Sequence, residues 1–161
     1  MDPQAEHWIV KFGMQAHPEG GYFAETYRSS ESLPGDALPN RYGGARALGT
    51  SIYFLVPPGQ CSKLHRLRTD EVWHYHAGGA MHLWLIHPTG HLEELLVGPD
   101  GPFQVVVPRG CWFGAHPESG GYSLVGCTMA PGFDFADFGL GEREALLAAY
   151  PEHAAVIRRL T

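Results

Sequence analysis

Basic residues and cysteines are both scarce in this chain of 161 residues. Eleven Lys and Arg stand against 17 Asp and Glu, so the formal net charge is −6, and the basic residues are scattered along the sequence. Nucleic acids and anionic membranes bind concentrated positive charge, so we expect neither as a partner. The cysteines, Cys61, Cys111 and Cys127, are odd in number and lie in apolar runs. This pattern indicates reduced thiols in a cytoplasmic protein.

Long apolar runs and a recognisable leader are also absent. No uninterrupted stretch approaches the roughly 20 apolar residues of a membrane-spanning helix. The first residues, MDPQAEHWIV, lack the basic segment and apolar core of a secretion signal. We therefore expect a cytoplasmic protein without membrane contact, with a small molecule as its partner. With about 150 residues per domain as a guide, residues 1–161 are expected to form a single domain.

Short apolar runs separated by Gly and Pro turns fill the middle of the chain. They are LGTSIYFLV, EVWHYHA, HLWLIH, LEELLV, FQVVV, CWFGA and YSLVGCTMA. Runs of this length between turns predict an antiparallel sandwich or barrel. GYFAETYR, at 21–28, reads as an earlier strand, at a sheet edge or exchanged between subunits. A short helix stopped at Gly13 and two helical pieces broken at Pro151 are expected at the ends.

The segment GQCSKLHRLRTDEVWHYHAGG, at 59–79, concentrates the residues that could carry chemistry. Residues two apart in a strand share a face, so His65 and Leu67 point the same way. A tight turn at 68–70 brings the next strand back, and Glu71 can then face the same interior. Trp73 and Tyr75 would face inward with Glu71, whereas His74 and His76 would face outward.

The spacing of Gly59, His65, Glu71 and Gly78 resembles the first motif of the cupin superfamily, with Leu67 where the motif has a second His. Five further stretches are similar to the small single-domain subfamily called cupin type 5, over almost the whole chain: HPEGGYFAETYRS, TSIYFLVP, HRLRTDEVWH, GYSLVGCTMAPGFDFADF and YPEHAAVIRRLT. The resemblance implies an all-β jelly-roll barrel with an internal pocket, usually as a homodimer. It implies no settled reaction.

The sequence departs from the pattern of metal-binding cupins. Their second motif places a His ligand after Pro-x-Gly, but after Pro108-Arg109-Gly110 this chain has Phe113 at that position. Only His65 and Glu71 remain of the four usual ligands, fewer than a catalytic zinc site or a facial iron triad needs. We therefore expect no metal cofactor. If a transition metal did bind, His65 and Glu71 would be its ligands, with a third from His74, His76, His82 or His116.

The expected pocket has apolar and aromatic walls around two titratable groups. Its inward residues are His65, Leu67, Glu71, Trp73, Tyr75 and Phe113. Apolar surroundings should raise the pKa of Glu71, which suits proton transfer beside an imidazole. In this interpretation His65 is the base, Glu71 orients or protonates it, and Tyr75 or Tyr53 returns the proton. Trp73 and Phe113 would form a platform for a substrate ring.

Three functional hypotheses follow. The first is a metal-independent isomerase or epimerase acting on a carbohydrate-like or other small polar ring substrate. The second is a metal-dependent oxygenase or isomerase, and the third is a non-catalytic module that binds a metabolite. A buried His65–Glu71 pair that only holds two strands together is the structural alternative to all three.

Other polar and aromatic residues near the predicted barrel have two interpretations each. Glu25 and Tyr27 should share a strand face, with Arg28 opposite, so Glu25 or Arg28 closes the pocket, crosses a dimer interface or pairs across strands. Asp134 and Asp137 either anchor a loop over the barrel mouth or cap their own turn. Trp112 either stacks on a planar ligand or packs in the core.

Overall fold

The computed structural model describes residues 2–161, which contain two large antiparallel sheets, a short two-stranded sheet and three short helices. The strands are β1 (Gln15–Ala16), β2 (Tyr22–Arg28), β3 (Ser32–Leu33), β4 (Arg46–Ala47), β5 (Thr50–Val56), β6 (Ser62–Arg66), β7 (Glu71–Gly78), β8 (Met81–Ile86), β9 (Leu92–Val97), β10 (Gln104–Val107), β11 (Trp112–Pro117), β12 (Ser123–Met129) and β13 (Gly139–Leu140). The helices are α1 (Pro3–Phe12), α2 (Arg143–Ala149) and α3 (Ala154–Arg159). None of these helices is long and apolar enough to cross a membrane.

The strands are arranged as a jelly-roll barrel, as the resemblance implies. The first sheet has the order β1-β2-β5-β12-β7-β10 and the second β13-β6-β11-β8-β9, while β3 and β4 form a separate short pair. Every apolar run that predicted a strand contains one. β2 is close to being an edge strand, because the two-residue β1 covers only Tyr22 and Phe23.

The main core lies between the two sheets. Strand alternation points one set of side chains inward from each sheet, among them Phe54, Trp73, Leu83, Phe113 and Val125. The three cysteines are free thiols, and Cys111 and Cys127 belong to this core.

The terminal helices cover the outer faces of the sheets. Asp2 caps α1 by accepting hydrogen bonds from the backbone N–H groups of Gln4 and Ala5, and Gly13 ends the helix in a left-handed conformation, as predicted. α1 packs on the first sheet through Phe12. The predicted break at Pro151 separates α2 from α3, and both pack on the second sheet.

Candidate functional site

A cavity of about 320 Å³ lies between the first sheet and β6. That volume is near the lower end of the range for small-molecule sites. Strands β2, β5, β7 and β12 contribute most of its wall, and a loop at 131–138 covers its mouth. The apolar and aromatic side chains of the wall are Phe23, Ile52, Phe54, Leu67, Trp73, Met129, Phe133, Phe135 and Phe138.

The structure brings His65 and Glu71 together in this cavity. His65 on β6 is 2% exposed and Glu71 at the start of β7 is 8% exposed. Leu67 and Trp73 line the same cavity. His74 and His76 face outward, as strand alternation predicts. His74 Nε2 is 2.8 Å from Thr128 Oγ1, and the His76 ring packs against Tyr53.

Three of the predicted pocket residues do not line the cavity. Phe113 faces inward but is covered by His65, whose ring centroid is 4.1 Å from its own. Tyr75 also packs against the main core, yet it lies further along β7, where its hydroxyl donates to the Gly78 carbonyl oxygen at 2.7 Å. Tyr53 is on the outer face of β5, stacked 4.4 Å from Phe12. Neither Tyr75 nor Tyr53 lines this cavity, so its geometry does not support the expectation that one of them returns a proton to a ligand there.

Glu19 is a buried carboxyl group of the cavity that sequence reasoning missed. One of its carboxyl oxygens, Oε2, lies 3.1 Å from His65 Nε2, and the other accepts a hydrogen bond from Ser62 Oγ at 2.8 Å. The Lys63 backbone N–H donates to the Glu19 carbonyl oxygen at 2.7 Å, which ties the segment to β6. Gly20 permits this approach, since it has a φ of +105° and a Cβ there would collide with the Cys61 carbonyl oxygen.

The groups around His65 determine which of its ring nitrogens carries the hydrogen. Its Nδ1 is 2.7 Å from the Lys63 carbonyl oxygen, which can only accept, so Nδ1 carries the hydrogen. Burial lowers the pKa of His65 and keeps the ring neutral. The lone pair on Nε2 therefore faces the Glu19 carboxyl group.

Both carboxyl groups of the cavity resist ionisation. Burial raises the pKa of Glu19 to about 8, and the hydrogen bond from Ser62 opposes the rise. Burial also raises the pKa of Glu71 to about 7, helped by the nearby charge of Glu19 and opposed by His65, Cys127 and Trp73. At neutral pH Glu19 is thus mainly protonated, while Glu71 is poised between its two forms.

His17 completes the polar group of the cavity. Its Nδ1 accepts a hydrogen bond from the Glu19 backbone N–H at 3.2 Å and lies 3.6 Å from Glu19 Oε2. Burial, together with His65, lowers the pKa of His17 to about 4. A neutral imidazole therefore supports the segment that carries Glu19.

Two buried polar atoms of the cavity residues have no hydrogen-bond partner in the described chain: Glu71 Oε2 and Trp73 Nε1. An unsatisfied buried polar group costs about 1–3 kcal/mol, so such groups are rare outside functional sites. The unpartnered Glu71 oxygen is an acceptor when ionised, so it offers a hydrogen-bonding position to a polar ligand.

The donor groups of the cavity do not fit a bound metal ion. Within residues 2–161, no three His, Cys, Asp or Glu side chains are grouped as metal ligands. Both ring nitrogens of His65 already face other groups, and Leu67 and Phe113 supply no donor atom. The other candidate histidines lie elsewhere: His82 and His116 stack on each other, with ring centroids 5.1 Å apart.

The prediction that Glu25 and Arg28 of β2 point to opposite faces is wrong, because the two residues form an ion pair at the rim of the cavity. A bulge between Glu25 and Tyr27 shifts the register, so Arg28 lies on the same side as Glu25 and both line the cavity. Arg28 Nε and Nη2 donate to the two Glu25 carboxylate oxygens at 3.0 and 2.8 Å. Tyr27, expected beside Glu25, is 57% exposed.

The loop 131–138 is held over the mouth by a buried ion pair. Arg46 Nε and Nη2 donate to the two Asp137 carboxylate oxygens at 2.8 and 2.7 Å. Arg46 also donates to the carbonyl oxygens of Ala45 and Tyr42. Asp134 instead accepts from the Ala136 backbone N–H and caps its own turn. Of the two roles weighed for these aspartates, Asp137 anchors the loop and Asp134 is the turn residue.

A chain of Cys111, His87 and Glu93 outside the cavity resembles a nucleophile with its base. Cys111 Sγ is 3.4 Å from His87 Nδ1, and His87 Nε2 is 2.6 Å from Glu93 Oε2. The Cys111 side chain is buried, however, and burial raises the pKa of its thiol. This chain of contacts therefore lacks the exposed thiolate that nucleophilic catalysis needs.

Comparisons with known proteins agree with this architecture. The family model "Cupin superfamily (DUF985)" matches residues 6–141. A Saccharomyces cerevisiae protein described as "Uncharacterized protein YML079W" is 32% identical over 155 residues, covering 86% of this chain and 77% of that protein.

Two solved structures are similar over nearly the whole chain. Protein SO0799 from Shewanella oneidensis has 40% identity and a TM-score of 0.87, covering 98% of this chain and 96% of its own. A hypothetical protein from Leishmania major has 36% identity and a TM-score of 0.87, covering 98% of both chains. With a matching family model over most of its length and a barrel of the same shape, the chain belongs to the DUF985 family of the cupin superfamily.

Proposed function

We propose that the cavity binds a small polar molecule bearing a carbonyl group and moves protons on it, as a metal-independent isomerase or epimerase. The observation that carries this proposal is the group of three buried titratable side chains, Glu19, His65 and Glu71, in a cavity whose remaining wall is mainly apolar. Apolar walls with a few polar groups are the usual make-up of a small-molecule site. Carbohydrate-like ring substrates fit this description.

Glu71 is the general base of the proposed reaction. One of its oxygens has no partner in the described chain, and its pKa of about 7 lets the ionised form accept a proton near neutral pH. His65, which the sequence suggested as the base, is a poorer candidate, because burial lowers its pKa and Glu19 lies against Nε2.

The Glu19–His65 pair is the acid. Glu19 is protonated at neutral pH and lies 3.1 Å from the imidazole, so the pair supplies a proton to a developing oxyanion. In the first step, the C–H bond beside the substrate carbonyl breaks and its proton passes to Glu71. The electron pair forms the enediol as the carbonyl oxygen takes a proton from Glu19.

A proton returned to carbon, together with a hydroxyl proton of the enediol passed back to Glu19, completes the reaction. In an isomerisation Glu71 returns its proton to the neighbouring carbon, and the hydroxyl on the original carbon loses its proton to Glu19 as the new carbonyl forms. In an epimerisation the enediol turns over in the cavity before Glu71 protonates the same carbon on its other face, and the hydroxyl formed in the first step returns its proton to Glu19. Each route restores protonated Glu19 and ionised Glu71, so no external oxidant or reductant is needed. Trp73 and Phe54 supply aromatic wall against which a sugar ring can pack.

Solvent exchange tests the proposal. Aldo- and keto-sugars that raise the melting temperature are incubated with the protein in deuterium oxide, and deuterium at the carbon beside the carbonyl is followed by NMR. We expect Glu71→Gln to slow incorporation by about 10²–10⁴-fold, the usual contribution of a general base. Glu25→Gln is the matched control, since Glu25 also lines the cavity but is engaged by Arg28. Its rate should stay within a few-fold of wild type.

Two results would overturn the proposal. The first is equal incorporation by wild type and Glu71→Gln. The second is a sugar that stabilises the wild-type protein against heat by mass action yet never gains deuterium. That second result would instead favour a module that binds a metabolite without turnover.

A further inference from the structure

A second concave site lies beside the cavity, behind the wall formed by Leu67 and Phe138. This cleft has a volume of about 620 Å³, and both wall residues line it as well as the cavity. Four of the 11 basic residues of the chain line it: Arg41, Arg66, Arg68 and Arg109. We refer to it as the arginine cleft. Such a concentration of positive charge is unexpected in a chain with a net charge of −6.

The fold gathers these arginines from three separate segments. Arg66 ends β6 and Arg68 follows it, Arg109 lies in the turn before β11, and Arg41 comes from a short helical turn at Asn40–Tyr42. Arg41 Nε donates to the Arg68 carbonyl oxygen at 2.9 Å, and Arg68 Nη1 donates to the Arg41 carbonyl oxygen at 2.8 Å. These reciprocal bonds hold two like charges near each other.

The positive charge of the cleft is only partly neutralised. Arg109 Nη1 is 3.8 Å from Asp70 Oδ1, and both side chains are about half exposed. Arg68 Nη1 is 3.9 Å from Asp137 Oδ1, but Asp137 is already bound by Arg46 through both oxygens. In residues 2–161 no carboxylate lies within 4.0 Å of the Arg41 or Arg66 guanidinium groups.

Arg66 is held in place by an aromatic ring instead of by an acid. Its guanidinium lies over the Trp112 ring, 4.5 Å from the centroid. Trp112, considered above as a ligand platform for the barrel, thus supports this arginine. Stacking orients the planar group while leaving its N–H donors in the plane available for other partners.

We propose that the arginine cleft binds the phosphate or pyrophosphate group of a small molecule. Guanidinium groups pair with phosphate oxygens through two parallel N–H donors, and several converging arginines match the charge of a pyrophosphate. The cleft volume suits a small ligand. A nucleic acid is a poor match, because it requires an extended basic surface and the remaining chain is acidic. This inference does not depend on the reaction proposed for the cavity.

Isothermal titration with sodium pyrophosphate tests this inference. We expect saturable binding by the wild-type protein, weakened at least tenfold in the double variant Arg66→Gln/Arg109→Gln. Arg158→Gln is the matched control, because Arg158 is exposed on α3 and lines neither cavity nor cleft. Arg28→Gln tests whether the anion binds at the rim of the cavity instead. Both single variants should bind like wild type.

Three results would overturn the inference. Absence of heat with wild-type protein at low ionic strength excludes the site. Loss of binding in Arg28→Gln, with binding retained in the double variant, places the anion in the cavity instead. Equal affinity for citrate and pyrophosphate shows a general anion site and rejects the phosphate assignment. Melting temperatures of all variants, measured in parallel, establish that each one is folded.

Discussion

Two buried carboxyl groups of this protein, Asp137 and Glu71, have opposite environments. Both oxygens of Asp137 accept hydrogen bonds from Arg46, whose remaining donors reach backbone carbonyl oxygens. Glu71 has no cation beside it, and one of its oxygens has no partner in the described chain. Burial alone therefore does not mark a functional acid. The satisfied carboxylate holds the loop over the cavity, whereas the unsatisfied one is available to a ligand.

Breaking the Asp137 pair should give the largest change in stability. Asp137→Asn leaves the Arg46 charge buried without its partner, so we expect a loss of about 3–5 kcal/mol in the free energy of unfolding. Urea denaturation measures this loss. The double variant Arg46→Met/Asp137→Leu should recover much of it, since the buried charge is gone. A loss below about 1 kcal/mol in Asp137→Asn would show that the pair does not hold the loop.

The cavity acids should give a change in stability that depends on pH. Because the folded protein raises the pKa of Glu71 from about 4.5 to about 7, folding favours its protonated form. This contribution to stability is fully present below pH 4.5 and is lost as the pH rises towards 7. Glu19 extends the loss to about pH 8. The slope is at most about 1.4 kcal/mol per pH unit for each group.

Two histidines act in the opposite direction at acidic pH. Folding lowers the pKa values of His17 and His65 from 6.5, so their contribution is lost as the pH falls below that value. Thermal unfolding from pH 4 to 9 should therefore show reduced stability on both sides of an intermediate maximum. Glu71→Gln should remove the Glu71 share of the loss of stability between about pH 4.5 and 7, with Glu25→Gln retaining the wild-type slope. An unchanged slope over that range in Glu71→Gln would contradict the raised pKa.

The rim ion pair should have the smallest effect. Arg28 and Glu25 are joined by two short hydrogen bonds, yet their side chains are about 40% exposed. Exposed pairs contribute about 0–1 kcal/mol, so Arg28→Gln should change the free energy of unfolding by less than that. Urea denaturation in low and high salt measures it. A loss above about 2 kcal/mol would place this pair with Asp137 as a structural contact.

The sequence predicts the inner face of β7 because strand alternation is regular there. Glu71 and Trp73 face the cavity and His74 faces outward, as a period of two requires. The same alternation of side chains predicts that Tyr75 faces inward. It does not predict how far the cavity extends along the strand. Tyr75 is four residues from Glu71, about 13 Å at strand spacing, and lies beyond the cavity.

The remaining differences from the sequence interpretation have local causes. β5 carries apolar side chains on both faces, because α1 covers its outer face. The side-chain pattern of β5 therefore does not indicate that Tyr53 faces outward. The bulge in β2 reverses the side of Arg28 and leaves no clear signal in the sequence. Glu19 precedes its strand and reaches His65 across 46 positions of sequence, through tertiary contacts alone. The two glycines after Glu19 were the only visible hint of a close approach.

The arginine cleft could not be predicted from the distribution of charge along the sequence either. Arg41, Arg66, Arg68 and Arg109 are spread over nearly 70 positions, so the basic residues looked scattered in the sequence. The fold brings them to one cleft through the helical turn at Asn40–Tyr42, the end of β6 with the turn after it, and the turn before β11. Charge clustering in a β barrel follows the topology of its loops.

Inside the cavity, Glu71 is an acid poised near neutrality. Carbon-13 NMR of protein labelled at the glutamate carboxyl carbons measures this pKa, with Glu71→Gln and Glu19→Gln assigning the two buried signals. We predict that the Glu71 signal titrates with a midpoint near pH 7, coupled to a second transition of Glu19 at higher pH. A Glu71 signal that titrates near pH 4.5, like an exposed glutamate, would contradict the account.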